Sequence, residues 1–242
     1  MNSLWLEADW PAPANVRTCI TTRQDGHSQM PWDSFNLGDH VGDDPQHVAA
    51  NRLMLQSTLG CRPAWLEQTH SVLAVRAQPD QIAQADASWT DIPGIACAIM
   101  TADCLPVLLC DRSGSRIAAA HAGWRGLANG VLEQTVDALG LPATELMAWM
   151  GPAIGPQAFE VGPEVREVFI QSDTDAALAF KASSRPDHFL ADIYHLARLR
   201  LQTIGVSQIY GGGLCTLSDP DRFYSYRRDG QTGRFASLIW LT

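Results

Sequence analysis

Two imidazoles and a thiol are the side chains best placed to do chemistry in this chain: His70 in LEQTHS, Cys104 in TADCLPVLL and His121 in AAAHAGWRG. An imidazole nitrogen and a thiolate are both good donors to a borderline-soft divalent ion, zinc above all. Three protein donors leave a coordination position for a water or a substrate, the layout of a catalytic metal site. The spacings are not those of a zinc finger. The same residues also fit a buried small thiol with two structural histidines. They further fit metal-free hydrolysis, with Cys104 as nucleophile and His121 as its base.

The neighbours of the triplet favour a small anionic ligand. Ala-Gly-Trp-Arg-Gly follows His121 and leads into a helix. Small residues there let a ligand approach the backbone, and the helix dipole favours an anion. Arg125 adds a planar donor for phosphate or carboxylate. Asp103 is placed to orient a histidine, to act as a base or to cap a turn. Tyr226-Arg227-Arg228 with Arg234 forms a basic patch within reach of an anionic substrate. Phe35 and Trp124 offer flat rings for stacking or for core packing. Gly211 to Leu214 (GGGL) reads as a tight turn, because no dinucleotide or Walker motif surrounds it.

These residues need a scaffold. Val16 to Thr22, Ile95 to Thr101, Val107 to Cys110, Ile117 to His121 and Leu146 to Met150 read as strands, with Ile95 to His121 continuing one sheet. Ala64 to Arg76 reads as one or two strands around the polar knot that holds His70. Asp86 to Thr90 is short and turn-flanked. Pro45 opens a helix that Gly60 closes, and Leu127 to Leu139 reads as one helix ended by Gly140. Further helices are expected at Glu164–Gln171 and Asp192–Ile204, the latter capped by Asp192. Arg23 to Asp44 is a long loop, and Ile209 to Leu241 reads as strand, loop, strand. The mixed order of strands and helices predicts an α/β (α+β) fold, a single layered domain over 1–242 with mixed β-sheets flanked by helices.

Composition excludes some partners. The chain has 242 residues, a net charge of −9 and one lysine, Lys181. An acidic chain is a poor general binder of nucleic acid or anionic membrane. The most apolar window, Ile92 to Cys110, is broken by Asp103 and two prolines and does not read as a membrane span. The N-terminal segment MNSLWLEADWPAP lacks the pattern of an export signal. Six scattered cysteines without a CxxC pair fit reduced thiols, and hence a cytoplasmic protein.

The stretches SFNLGDHVGDD, EQTHS, ADASWT, TADCLPVLL, HAGWRG, GPAIGPQAFEVG and FYSYRRDGQTGR follow one another from Ser34 to Arg234. In this they resemble the laccase-domain family. It is also called the peptidoglycan editing factor or YfiH-like family of zinc-dependent purine nucleoside phosphorylases, and was formerly described as multicopper polyphenol oxidases. The resemblance implies that His70, Cys104 and His121 are metal ligands. It implies Zn2+ as the cofactor, with Cu2+ where members oxidise phenols. It implies phosphorolysis of adenosine, inosine and S-methyl-5′-thioadenosine, adenosine deamination, and a role in peptidoglycan precursor editing. The partners are then small molecules, purine nucleosides and phosphate. By their place in these motifs, Asn36, Asp86 and Glu160 are expected to contact ribose or base. The implied fold is similar to Cys–His deamidases. One three-ligand site lacks the several histidine clusters that reduction of oxygen requires, so phenol oxidation ranks as a side activity.

Overall fold

Strands that are apolar without alternation must be covered on both faces. Five runs here have that character: Ile95–Thr101, Leu105–Asp111, Ile117–Ala122, Leu146–Met150 and Phe235–Leu241 are buried along nearly their whole lengths. In a computed structural model, which describes residues 5–242, they lie in two stacked mixed sheets. Residues 1–4, part of the segment read as lacking an export signal, lie outside the described residues.

In chain order the first elements are β1 (Val16–Ile20), α1 (Pro45–Leu59), β2 (Arg62–Ala64), β3 (Leu66–Glu67), β4 (Ala74–Arg76), β5 (Ala83–Gln84) and β6 (Ala87–Thr90). The central group is β7 (Ile95–Thr101), β8 (Leu105–Asp111), β9 (Ile117–Ala122), α2 (Trp124–Asn129), α3 (Val131–Leu139) and β10 (Leu146–Met150). Then come β11 (Glu160–Val161), α4 (Pro163–Ser172), β12 (Phe180–Ala182), β13 (Phe189–Ala191), α5 (Ile193–Thr203), β14 (Gln208–Gly211), α6 (Tyr226–Asp229) and β15 (Phe235–Leu241).

One sheet has the order β1-β15-β7-β2, the other β14-β10-β8-β9-β6-β4, and both mix parallel and antiparallel pairs. Between them lies a shared core that includes Ile20, Cys97 and Ile99 of the first and Leu108, Ile117 and Trp149 of the second. The outer face of the larger sheet, through Val107, Leu109, Ala120 and Ala148, packs on α3, α4 and α5. The outer face of the smaller sheet, through Ala98, Met100 and Leu238, packs on Leu55 of α1 and on Phe35 and Leu37. The layers therefore run helix, sheet, sheet, helices. Each fully buried Leu or Ile contributes ~1.5–3 kcal/mol to this arrangement.

Three local features depart from the sequence reading. β7 does not continue into β8 within one sheet; the chain crosses from the smaller sheet to the larger one at Ala102–Cys104. The helix expected over Leu127–Leu139 starts earlier, at Trp124, and breaks at Gly130, whose φ of 101° no helix accommodates. The stretch between β14 and β15 contains α6, which Ser225 caps by accepting from Arg228 N. Elsewhere the expected cap at Asp192 holds, and Asp44 supplies one that the sequence reading did not name. Asp44 accepts from Gln46 N at the start of α1, and Asp192 accepts from His195 N at the start of α5. Such caps stabilise a helix by ~1 kcal/mol each.

Candidate metal centre

Strand register brings the distant residues together. β8 and β9 pair with Leu105 opposite Ala122 and Pro106 opposite His121. Cys104, one residue before Leu105, is thereby set beside Gly123 and near His121. β6 pairs with β9, Ala87 opposite Ala120, which delivers Asp86 to His121. The His121 amide donates to the Asp86 carbonyl at 2.7 Å. His70 comes from the loop between β3 and β4. Gln68 fastens that loop to the end of β7 by donating to Met100 O at 2.9 Å and accepting from Met100 N at 2.8 Å.

The donor atoms of His70, Cys104 and His121 all lie within 4.8 Å of one another, the only such group of three among the described residues. His70 Nε2 stands 3.7 Å from Cys104 Sγ. A tetrahedral zinc with ordinary Zn–S and Zn–N bonds separates its sulfur and nitrogen ligands by about 3.6 Å. The rings of His70 and His121 meet at 4.8 Å between centroids. Gly123 closes one side: a Cβ there would lie 2.8 Å from His70 Cδ2 and 3.0 Å from Cys104 Sγ. The donor set and this side-chain-free wall fit a borderline-soft metal ion, and the group could bind one.

Asp86 orders two of the three donors. It is fully buried. Its Oδ1 accepts from His121 Nδ1 at 2.8 Å and from His70 N at 3.0 Å. Its Oδ2 accepts from Thr69 N at 3.1 Å, Ser71 N at 2.6 Å and Ser71 Oγ at 2.7 Å. Because a carboxylate only accepts, His121 Nδ1 must carry the proton, which leaves Nε2 as its metal-facing atom. The bond to His70 N also holds that residue at φ 60°, a left-handed conformation unusual for a side chain with Cβ. Burial raises the Asp86 pKa, but the bonds from His121 and Ser71 outweigh it and hold the carboxyl below the usual range. Burial likewise opposes charge on Cys104 and His121. Their mutual attraction wins, so the thiol is pulled down and the imidazole pushed up.

The crossing between sheets is held just as firmly. Asp103 sits at φ 103°. Its Oδ1 accepts from Thr216 Oγ1 at 2.6 Å, its Oδ2 from Arg227 N at 2.7 Å, and its carbonyl from Ile154 N at 2.8 Å. Strain of this kind persists only where the surroundings over-determine it. Here it ties the residue before Cys104 to α6 and to the loop after β10.

The other residues singled out from sequence are distributed unevenly. Glu160 and Arg227 share the rim, with Arg227 Nη1 donating to the Glu160 carbonyl at 3.0 Å. Arg125 is exposed, its guanidinium 4.4 Å from the Trp124 ring. Asn36 is fully buried. Its side chain accepts from Gly38 N and Arg234 N and donates to Asp43 Oδ2, at 2.8 to 2.9 Å, so it shapes its own loop. Asn36 and Asp86 therefore turn their polar atoms to protein groups, where a substrate contact had been expected. Phe35 is a core residue packed 5.7 Å from Trp5, not a stacking platform. The positioning work of Asp86 and the clamp from Gln68 went unread in the sequence. A lone carboxylate opening an apolar strand was the available signal for the first.

Comparison with known proteins places the chain in a family. The family model described as multi-copper polyphenol oxidoreductase laccase matches residues 17–242. A purine nucleoside phosphorylase of Pseudomonas aeruginosa is 62% identical over 237 residues, covering 98% of each chain. The purine nucleoside phosphorylase YfiH of Escherichia coli is 53% identical over 236 residues, covering 96% of each. The crystal structure of a Neisseria meningitidis protein superposes with a TM-score of 0.96 at 54% identity, over 99% of both chains. The chain belongs to the multi-copper polyphenol oxidoreductase laccase family, the YfiH-like proteins. Among the described residues no helix is long and apolar enough to cross a membrane.

Proposed function

We propose that this chain is a zinc-dependent, cytoplasmic purine nucleoside phosphorylase whose metal ligands are His70, Cys104 and His121. The convergence of two imidazoles and a thiol on the bare wall of Gly123 carries the reading. The names of the relatives supply the substrate class. When bound, zinc supplies a Lewis acid that polarises an oxygen ligand at neutral pH. Asp86 holds His121 in the tautomer that leaves Nε2 free, and holds the backbone turn that aims His70. Arg125, two residues beyond Gly123, adds positive charge for an oxyanion. Glu160 and Arg227 face the nucleoside from the rim.

In the reaction a phosphate oxygen forms a bond to C1′ of the ribose while the bond from C1′ to the purine nitrogen breaks. The electron pair leaves with the base, which takes up a proton. Adenosine, inosine and S-methyl-5′-thioadenosine share the bond that is cut. Adenosine deamination in the same site adds water at C6, leaves its oxygen there as in inosine, and releases the amine as ammonia. The test is to incubate zinc-loaded protein with adenosine and phosphate and separate the products. Adenine and ribose 1-phosphate in equal amounts support the reading. Their absence, with folded and metal-loaded protein, sinks it.

A second reading draws on the lowered pKa of Cys104 and on the His121–Asp86 bond: a metal-free cysteine hydrolase or deamidase. It predicts hydrolytic activity that survives chelators and is lost on alkylation of Cys104. Copper-dependent phenol oxidation rests on the family's description alone. The one three-donor group among the described residues does not provide the clustered copper sites that four-electron oxygen reduction needs.

A further inference from the structure

Several of the chain's arginines already have a carboxylate, ring or carbonyl partner. Arg52 pairs with Asp39 at 3.3 Å and Arg228 with Asp229 at 2.8 Å. Arg125 lies over Trp124, and Arg227 donates into the Glu160 carbonyl. Arg234 is different. It is half-buried, and its Nη1 donates only to the carbonyls of Thr232 and Gly233. Among the described residues its Nε and Nη2 have no partner, and no carboxylate lies within ion-pair distance.

Its place is fixed by the fold. Arg234 directly precedes β15, whose first residue Phe235 pairs with Thr101 at the end of β7. That puts it alongside Ala102–Cys104, the crossing that carries the thiol. The loop around Asn36 locks its backbone from both sides. Leu37 N donates to its carbonyl at 3.0 Å, and its own N donates to Asn36 Oδ1 at 2.8 Å. Gly38 leaves the room that its side chain crosses: a Cβ there would lie 2.8 Å from Arg234 Cγ. Burial disfavours its charge, while Cys104, Asp103 and Tyr226 favour it electrostatically. Asp103 does not neutralise it directly, because both its oxygens are engaged by Thr216 and Arg227. On the other side His40 is kept neutral by burial and by Arg234 itself, so it does not compete for an anion. A half-buried guanidinium without a counter-charge is costly unless an anion meets it.

We propose that Arg234 binds the anionic co-substrate, a small oxyanion with the chemistry of inorganic phosphate, beside the Ala102–Cys104 crossing. This deepens the phosphorolysis reading and rests on it for the identity of the anion. The planar guanidinium matches two oxygens of such a ligand at once.

The experiment compares wild type with R234Q, both loaded with zinc. Binding of inorganic phosphate is followed by calorimetry, and KM is measured separately for phosphate and for adenosine. The expected result is a loss of phosphate affinity of about tenfold or more, with a matching rise in its KM. The adenosine KM stays within about twofold and zinc content is unchanged. Phosphate affinity within about twofold of wild type, in folded zinc-loaded R234Q, overturns the proposal. If wild type makes no ribose 1-phosphate while R234Q still loses phosphate binding, phosphorolysis fails and the anion site stands. If R234Q does not fold, wild type is treated with phenylglyoxal. Phosphate should shield Arg234 from modification, and equal modification with and without phosphate overturns the proposal.

Discussion

Asp86 Oδ1 stands 2.8 Å from His121 Nδ1, and the same oxygen accepts from the backbone N of His70 at 3.0 Å. One buried carboxylate thus orients two donors that lie 51 positions apart in sequence, 121 − 70. Asp86→Asn replaces one accepting oxygen by an NH2 donor, which opposes the backbone N–H groups or, facing the ring, favours the wrong tautomer. Zinc affinity should fall roughly 10- to 100-fold, the usual cost of losing an outer-sphere carboxylate. Competition with a chromophoric chelator reads it. Unchanged affinity would show that His121 needs no partner to bind metal.

Gly123→Ala should empty the site without unfolding the chain. The new methyl would fall 2.8 Å from His70 Cδ2 and 3.0 Å from Cys104 Sγ. One of the two side chains must move, and three-point coordination is lost. We expect a near-native circular dichroism spectrum with zinc well below one ion per chain. Full metal content in the alanine variant would mean that the donors approach the ion from another direction.

Alkylation separates the metal reading from the metal-free one. Cys19, Cys61, Cys97 and Cys110 are buried, and burial pushes their thiols up. Only Cys104 and Cys215 are partly accessible. Iodoacetamide should label Cys104 slowly in zinc-loaded protein and rapidly after chelation, whereas Cys215 labels alike in both. Equal labelling of Cys104 in the two forms would count against ligation by its sulfur.

Asp111 supplies a pH test far from the metal. It accepts from Ser113 N at 3.0 Å, Ser115 N at 2.7 Å and Arg116 N at 2.7 Å, and from the Ser113 hydroxyl. Burial opposes its charge, but these bonds outweigh it and hold the pKa below the ordinary value. A carboxyl lowered in the folded state stabilises it fully above the unfolded pKa, near 4. That contribution disappears as pH falls through the lower folded value. Urea unfolding should therefore show Asp111→Asn to be less stable than wild type by about 1–3 kcal/mol at pH 7. The gap should close as pH falls from the unfolded value into acid, through the lower folded one. A gap that stays constant into acid would remove the carboxylate from the explanation.

Much of the scaffold was legible because apolar runs and caps are local. Ile95–Thr101 and Leu146–Met150 match their strands at both ends, and Gly60 and Asp192 cap where their chemistry predicts. The assignment of strands to sheets was not legible. A strand covered on both faces reads the same in either sheet, so the crossing at Ala102–Cys104 left no trace in the pattern. The break at Gly130 was hidden because Leu127, Val131 and Leu132 keep helical phase across it. The three soft donors stood out by residue type alone. The part played by Asp86 depends on the register of β6 against β9, which no local spacing encodes.

Gly130 offers a direct check of that hidden break. Its φ is 101°, and a Cβ there would sit 3.5 Å from Glu133 Oε2 and 3.6 Å from Arg200 Nη2. The space is adequate but the backbone is not. Gly130→Ala should cost about 1–2 kcal/mol in chemical unfolding. No loss would mean that α2 and α3 merge freely into one helix.

The central claim is that one metal ion held by His70, Cys104 and His121 is required for phosphorolysis. The most direct measurement is the rate of ribose 1-phosphate release from adenosine as zinc is titrated into metal-free protein. The rate should rise from background in proportion to bound zinc, level off at about one ion per chain, and stay at background in folded Cys104→Ser. Full activity in metal-free wild type, or undiminished activity in that variant, would contradict it.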